Sequence, residues 1–329
     1  MKAVVYTKYG PPDVLELKEI EKPSPKKNEV RIRVYATTVT ATDCTFRKGK
    51  PLFSRLFTGL TRPKNSILGS EFAGEIEAIG KDVSLFKKGD QVFGTLPGYG
   101  AYTEYICLPE EGATLATKPT NLIYEEAVAA CDGFLTALPF LRDKGNIQSG
   151  EKVLINGASG SVGSAAVQLA SYFEAEVTGV CSNRNIELVK SLGADKVIDY
   201  TKEDFTKTGE TYDIIFDAVS KISFSHCKRS LKRNGVFLEV RIGLSIFPVV
   251  LWTSMIGGKK VKIAATGLRS GRERTNDLIF LRELIETGRI TPVIDRKYRL
   301  NQIVEARRYV DKGHKKGNVV ITLENNKTQ

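Results

Sequence analysis

Residues 151–170 read EKVLINGASGSVGSAAVQLA. An apolar run, KVLIN from Lys152, breaks into three glycines at a spacing of three and then resumes as alanine, valine and leucine. The run predicts a buried strand, and the small-residue stretch after Gly163 predicts a helix. A glycine-rich turn between a strand and a helix is the context that gives this otherwise weak motif its meaning. Aligned on its last two glycines, the turn is Ala158-Ser159-Gly160-Ser161-Val162-Gly163, with alanine at the first glycine position. Gly160 removes the side chain where a pyrophosphate must approach the backbone, and Gly163 lets the helix pack close on the strand. The unpaired N–H groups that open a helix favour the anion. These residues are therefore expected to bind a dinucleotide. A serine-hydrolase elbow fails, because G-x-S-x-G would need glycine where Ser161 stands.

Outward from the turn, EVTGVC from 176, KVIDY from 196, DIIFDAV from 213 and GVFLEV from 235 are short apolar runs separated by helical segments. Strand and helix in alternation imply parallel pairing with right-handed crossovers. Residues 123–268 are expected to form one doubly wound α/β domain, with Lys259 to Thr266 as a sixth strand at its edge. Residues 1–122 carry strand-like alternation at Val30 to Tyr35 and Glu75 to Ile79, with turns such as Lys88-Gly89-Asp90 and Pro97-Gly98, and read as mostly β. Residues 269–329 hold a helix around Asp277 to Thr287, another around Ile303 to Lys312, and a terminal strand NVVITL. That piece is expected to return to the first domain.

The kind of dinucleotide is read at the end of the second strand. About twenty residues past the fingerprint, a free adenosine 2′-hydroxyl calls for Asp or Glu. The chain instead reads Val180-Cys181-Ser182-Asn183-Arg184-Asn185. Arg184 offers a planar fork suited to a 2′-phosphate, so NADP(H) is preferred over NAD(H).

Bulk properties limit the remaining classes. A chain of 329 residues that is 41% hydrophobic and 26% charged fits one or two globular domains. Five cysteines (Cys44, Cys107, Cys131, Cys181, Cys227) lie scattered without C-x-x-C pairs, which argues against a disulfide framework and for a reducing cytoplasm. No targeting leader is read in MKAVVYTKYGPPDVLELKEIEK. The charge-free stretch Ile242 to Gly258 is too short to span a bilayer and reads as a buried or partner-facing segment. The net charge of +11 includes Arg47, Lys48, Lys50, Arg55, Arg62 and Lys64, interleaved with Phe53, Leu56, Phe57 and Leu60. We read this loop as a solvated face over a substrate cleft in preference to a peripheral membrane contact. No RNP-type or zinc-finger motif supports nucleic acid.

MKAVVYTKYGPPDVLEL, ILGSEFAGEIEAIGKDVSLFKKGDQVFG, NGASGSVGSAAVQLA, LVKSLGADKVIDY and GHKKGNVVITL, in that order, cover essentially the whole chain. Together they resemble the medium-chain dehydrogenase/reductase superfamily, specifically its zinc-free quinone oxidoreductase branch. The resemblance implies a GroES-like β domain made from both chain ends, a Rossmann domain inserted between them, and a cofactor in the cleft. It also implies contacts: Thr136 on the nicotinamide side, Tyr200 joining Ser182 and Arg184 around the 2′-phosphate. Val219, Val240, Gly243, Lys316 and Asn318 match positions around the rest of the cofactor. Thr40 and Asp43 are placed near the nicotinamide, with Tyr99 on a loop nearby.

Alcohol dehydrogenases of the same superfamily carry a zinc cysteine in C-G-V-C-H-T-D and a histidine in G-H-E. This chain has Thr40 at the cysteine position and Ser70 in Gly69-Ser70-Glu71, so no metal is expected. Without a Lewis acid, hydride delivery to an electron-poor acceptor, a quinone or an α,β-unsaturated carbonyl, is favoured over alcohol oxidation. An enoyl-thioester reductase is the enzymatic alternative, and an NADPH sensor with little turnover, attached to a membrane or RNA, is the alternative of another class. In relatives of this superfamily the strand that corresponds to Lys259–Thr266 pairs with its twofold mate, so the resemblance implies a homodimer.

Overall fold

The computed structural model describes residues 1–50, 52, 55–240, 246–255 and 257–323, with the backbone alone at Phe57. The chain divides into two compact units. One contains Met1–Asp132, Arg269–Thr287 and the residues from Pro292 on; the other contains Gly133–Leu268 with Gly288–Thr291.

The second unit is a Rossmann-type α/β domain. Its strands are Lys152–Asn156, Glu176–Cys181, Lys196–Asp199, Tyr212–Asp217, Leu231–Glu239 and Lys260–Lys262, all paired in parallel. In space the third, second and first strands are followed by the fourth, fifth and sixth. The order therefore reverses between the first and fourth strands, where such sheets bind ligands beyond their carboxyl ends. Val153, Leu154, Ile155, Ile215 and Phe216 are fully buried, as central strands of a parallel sheet covered on both faces must be.

The edge strand is shorter than the eight-residue run expected from sequence, and it begins at Lys260. It is tied to the preceding helix, Ile246–Met255, by Val261 N–H donating to Thr253 Oγ1 at 3.1 Å. Lys260 Nζ donates to the carbonyls of Thr253 (3.0 Å) and Ser254 (3.3 Å) near the end of that helix. This is where a cation stabilises unpaired carbonyls. The helix occupies the middle of the charge-free segment, whose residues 242–245 and 256 lie outside the described residues. Val249 and Val250 pack on the core, whereas Leu251 and Met255 are 64% and 79% exposed.

The first unit is a GroES-like β domain. Its main sheet joins both ends of the chain: strand Asn318–Thr322 pairs antiparallel with Glu29–Thr38, Val320 opposite Thr38. Glu29–Thr38 also pairs with Glu71–Ile79 and Tyr105–Pro109. Ile32, Phe72, Ile76, Tyr102, Val319 and Ile321 form its fully buried centre. The helix Tyr124–Ala129, which the sequence places with the nucleotide-binding part, belongs to this unit. Tyr124 stacks on Tyr35 with ring centroids 4.7 Å apart, and apolar burial outweighs chain order.

The basic loop needs a correction. Arg47 is not a solvated cation: it is fully buried, donating to Asp311 Oδ2 at 2.6 Å and to the Gly10 carbonyl at 2.9 Å. Lys48 meets the other oxygen of Asp311 at 2.9 Å, and Arg55 lies over the Tyr9 ring. These cations close the domain on itself. Leu56 and Leu60 are exposed; Phe53 and the side chain of Phe57 lie outside the described residues.

Candidate functional site

In the nucleotide-binding unit the glycine turn separates two needs. Gly157, directly after the first strand, adopts φ +78° and carries the left-handed conformation. A Cβ at Gly163 would sit 2.0 Å from the Gly157 carbonyl oxygen, so the helix Ser161–Tyr172 could not approach the strand with any other residue there. Gly160 is different. Its φ of −77° suits any residue, and a Cβ there would meet nothing closer than 3.5 Å. The fold itself does not require glycine at 160, while a ligand approaching the backbone would. The helix that follows has no side-chain cap, so its first N–H groups remain available to an anion. Ala158, fully buried, packs towards Gly179, where a side chain would crowd its methyl group.

Other candidates gather at the same end of the sheet. Ser182 follows the second strand, and Arg184, in the short helical turn Asn183–Asn185, is exposed with no protein partner among the described residues. Tyr200, after the third strand, is 57% exposed. Asn185, which sequence reasoning missed, joins the turn to the second strand: its Nδ2 donates to Ser159 Oγ at 2.9 Å and to Ser182 Oγ at 3.3 Å. Its buried Oδ1 has no partner among the described residues, an acceptor suited to a ligand hydroxyl. At the switch point, buried Asp217 accepts from Asn156 Nδ2 (3.0 Å), Val219 N–H (3.2 Å) and Ile222 N–H (2.9 Å). These bonds set the loop bearing Val219, whose side chain would collide with a Cβ at Gly157. Val240 N–H donates to the Asp217 carbonyl. Thr136 lies on a helix that meets Ser161 through Gly133, where a Cβ would stand 2.4 Å from the Ser161 carbonyl oxygen. Gly243 lies outside the described residues. A nicotinamide dinucleotide fits this set, with the turn and helix start suited to its pyrophosphate.

In the first unit, Thr40 and Asp43 cap the helix Ala41–Lys48. Asp43 N–H donates to Thr40 Oγ1 at 3.1 Å, while Thr40 N–H (3.1 Å) and Oγ1 (3.0 Å) donate to Asp43 Oδ2. This capping box satisfies donors that a helix start leaves open. Asp43 also accepts from Gly69 N–H and from Tyr102 Oη, and Arg307 Nη2 donates to that same Tyr102 oxygen at 2.7 Å. All three side chains, Asp43, Tyr102 and Arg307, are fully buried. Tyr99 rests edge-on against Phe46, and burial together with Asp43 and Glu71 pushes its phenol well above the usual tyrosine range. Asn318 is occupied by the scaffold, donating to the carbonyls of Ala129 (2.9 Å) and Val293 (3.1 Å). Lys316 N–H donates to Asp295.

Glu71, which sequence reasoning also passed over, is 5% exposed at the start of its strand. Thr38 Oγ1 donates to its Oε2 at 2.6 Å and Ser70 Oγ to its Oε1 at 2.7 Å. Burial, followed by the nearby Asp132 and Asp43 carboxylates, raises its pKa to about 8, outweighing the two hydroxyl donors. A charged residue opening the apolar run EFAGEI was the available signal.

The donors around Thr40 and Ser70 do not fit zinc. Both are hydroxyls already engaged by carboxyls, and no group of three or more His, Cys, Asp or Glu among the described residues is arranged to hold a metal. Cys44, four residues after Thr40, is buried against Arg307, and desolvation raises its thiol pKa.

A GroES-like β domain with a parallel-sheet nucleotide-binding domain defines a two-domain nicotinamide-dependent oxidoreductase. Models described as "Alcohol dehydrogenase GroES-like domain" and "Zinc-binding dehydrogenase" match residues 26–119 and 192–321. The chain is 32% identical to a chloroplast envelope quinone oxidoreductase homolog of Arabidopsis thaliana, over 98% of both proteins. It is 31% identical to an NADPH-dependent alkenal/one oxidoreductase of the same plant, over 98% of this chain and 79% of that one. The solved quinone oxidoreductase of Coxiella burnetii superposes with a TM-score of 0.84 at 27% identity, over 98% of this chain and 99% of that one. The CurK enoyl reductase gives 0.84 at 25% identity, over 98% and 99%. The chain belongs to the medium-chain dehydrogenase/reductase superfamily, in its quinone oxidoreductase-like branch.

Proposed function

We propose that this enzyme is a zinc-independent, NADPH-dependent oxidoreductase that transfers hydride to a quinone or an α,β-unsaturated carbonyl. The observation that carries the reading is Gly160, a glycine the fold does not need, at an uncapped helix start. Arg184 supports NADPH over NADH, because an exposed guanidinium without a protein partner among the described residues can take a 2′-phosphate bidentately. The cofactor, when bound, supplies the hydride. The chain's own residues hold it at 158–163, at Ser182, Arg184 and Tyr200, and beside Thr136, Val219 and Val240. Thr40 and Asp43 position the helix and the Gly69 turn, and Tyr99 offers a neutral hydroxyl. Lys316 and Asn318 order the returning C-terminal segment.

Zinc independence rests on donor chemistry, since two hydroxyls replace a thiolate and an imidazole. Activity should survive exhaustive chelation, with no stoichiometric zinc by elemental analysis; one tightly bound atom per chain would overturn it. No helix among the described residues is long and apolar enough to cross a membrane. The free cysteines fit a reducing compartment such as the cytoplasm.

The likeness to CurK keeps an enoyl-thioester acceptor as a second reading. Steady NADPH oxidation against a quinone, an enone and an enoyl thioester decides between them by kcat/KM. Tight NADPH binding with no oxidation by any of the three would instead make the chain a sensor.

A further inference from the structure

The sheet of the nucleotide-binding unit has a second end, and that end is basic. Because its strands run parallel, the glycine turn after Asn156 lies at their carboxyl ends. Asn234 and Lys259 stand at the opposite ends, just before Val236 and Lys260, the first pair between the fifth and sixth strands. There a cavity of about 710 Å³ opens, within the range of small-molecule sites. Lys228, Arg233 and Lys259 line it together with Asn234, Trp252 and Gly257. We propose that this cavity binds an organic diphosphate, separately from the cofactor, with the phosphates on the three cations and the organic part against Trp252.

Charge carries the argument. No carboxylate is among the lining residues, and the nearby cations on the same strands are engaged elsewhere. Lys232 meets Asp213 at 2.6 Å, and Lys260 lies on the carbonyls of Thr253 and Ser254. Arg233, by contrast, is exposed and has no protein partner among the described residues. Lys259 Nζ donates to the Lys228 carbonyl at 2.5 Å, and Lys228 Nζ stands 5.3 Å from the centre of the Trp252 ring. An ammonium has three donors, so both lysines keep some for a ligand. Three cations without a counter-charge repel one another, and an anion relieves that repulsion. A phosphate ester carries about −1.5 to −2 near neutral pH, short of the three cations, so a second phosphate is needed to balance them.

Shape agrees with charge. The planar fork of Arg233 matches phosphate oxygens, and the Asn234 amide adds two donors. At Gly257 an added Cβ would meet nothing within 4 Å, so the cavity wall there is bare backbone that a ligand can approach. Trp252, 50% exposed, gives the organic part an aromatic surface. Leu251 and Met255, exposed on the same helix, are not among the lining residues, so the cavity and that apolar surface are separate features that meet at Trp252.

Trp252 is the only tryptophan of the chain, so its emission is read without interference from another. The full chain is titrated with uridine diphosphate, inorganic pyrophosphate and sulfate at matched ionic strength, for the wild type, R233A, K228Q and G160A. Uridine diphosphate should change the emission saturably with a Kd below about 1 mM, pyrophosphate should bind more weakly, and sulfate should have no effect. R233A and K228Q should each weaken uridine diphosphate about tenfold or more, the scale of a lost charge-assisted hydrogen bond. G160A should leave it within twofold. NADPH affinity, followed by cofactor fluorescence, should stay within twofold of wild type in R233A, which reports a folded unit and two separate sites. No response to either diphosphate would overturn the proposal. So would a loss in G160A with none in R233A, which would put the diphosphate at the cofactor turn. Binding to phosphatidylcholine vesicles containing phosphatidate, with no response to the soluble diphosphates, would overturn it in favour of a lipid headgroup.

Discussion

Asp43 and Glu71 are carboxyls of one buried region with opposite surroundings. Asp43 collects N–H and O–H donors and lies 3.7 Å from Arg307, whereas Glu71 has two hydroxyls and neighbouring carboxylates. Glu71 therefore makes stability depend on pH with a definite sign. Its folded pKa lies above the unfolded value near 4.5, so between about 4.5 and 8 the unfolded chain has lost a proton that the folded chain keeps. The unfolded state gains from that ionisation, and the Glu71 contribution to stability falls as pH rises through this window. In urea unfolding, the wild type minus E71Q difference should drop by at least about 1 kcal/mol from pH 5 to pH 8; a rise would contradict the assignment. Arg184 sits in the other unit and has no protein partner among the described residues. R184A should weaken NADPH by about 1.5–3 kcal/mol and leave NADH nearly unchanged, while equal losses for both cofactors in titration would refute the 2′-phosphate role. The proposal for Arg184 comes from a local sign in the sequence, the exchange of a carboxylate for a cation. Asn185, one position on, was not, since its bonds to Ser159 and Ser182 join segments that only the folded sheet brings together.

The turn at 157–163 shows that similar glycines can be tested apart. G163A must push a methyl group into the Gly157 carbonyl, and the variant should lose roughly 1–3 kcal/mol of unfolding free energy relative to wild type. G160A makes only an ordinary contact with the Gly157 carbonyl oxygen, so its melting temperature should stay within about 2 °C of wild type while NADPH affinity falls. A G160A variant with intact NADPH binding would remove the main support for the cofactor site. The strands of this unit were readable because a covered parallel sheet demands continuous apolar runs. The brevity of the edge strand was not, because it depends on Thr253 and Lys260 reaching across to one another's elements. The loop at 47–64 misled for the converse reason: periodicity shows that Arg47 is basic but cannot show Asp311 beside it.

For the whole molecule, the helix Ile246–Met255 and the strand Lys260–Lys262 present apolar side chains and an open sheet edge together. Phe247, Leu251, Trp252 and Met255 fall on one helical stripe, half or more exposed in three cases, a patch a second copy of the chain would cover. Light scattering at micromolar concentration should give about twice the 36.3 kDa chain mass; a monomer would defeat the dimer. That both chain ends build one domain was legible from the order of motifs, whereas the bonds that fasten them were not. Those bonds set a timetable on the ribosome. The strands from Lys152 to Lys262 emerge consecutively, so the nucleotide-binding unit has its sheet partners as soon as it is out. Arg47, by contrast, waits 264 residues for Asp311, roughly 13–50 s at about 5–20 residues per second. The half of the enzyme translated first is thus the half finished last, and during that interval a nascent chain carries a sheet whose closing strand has not yet been made.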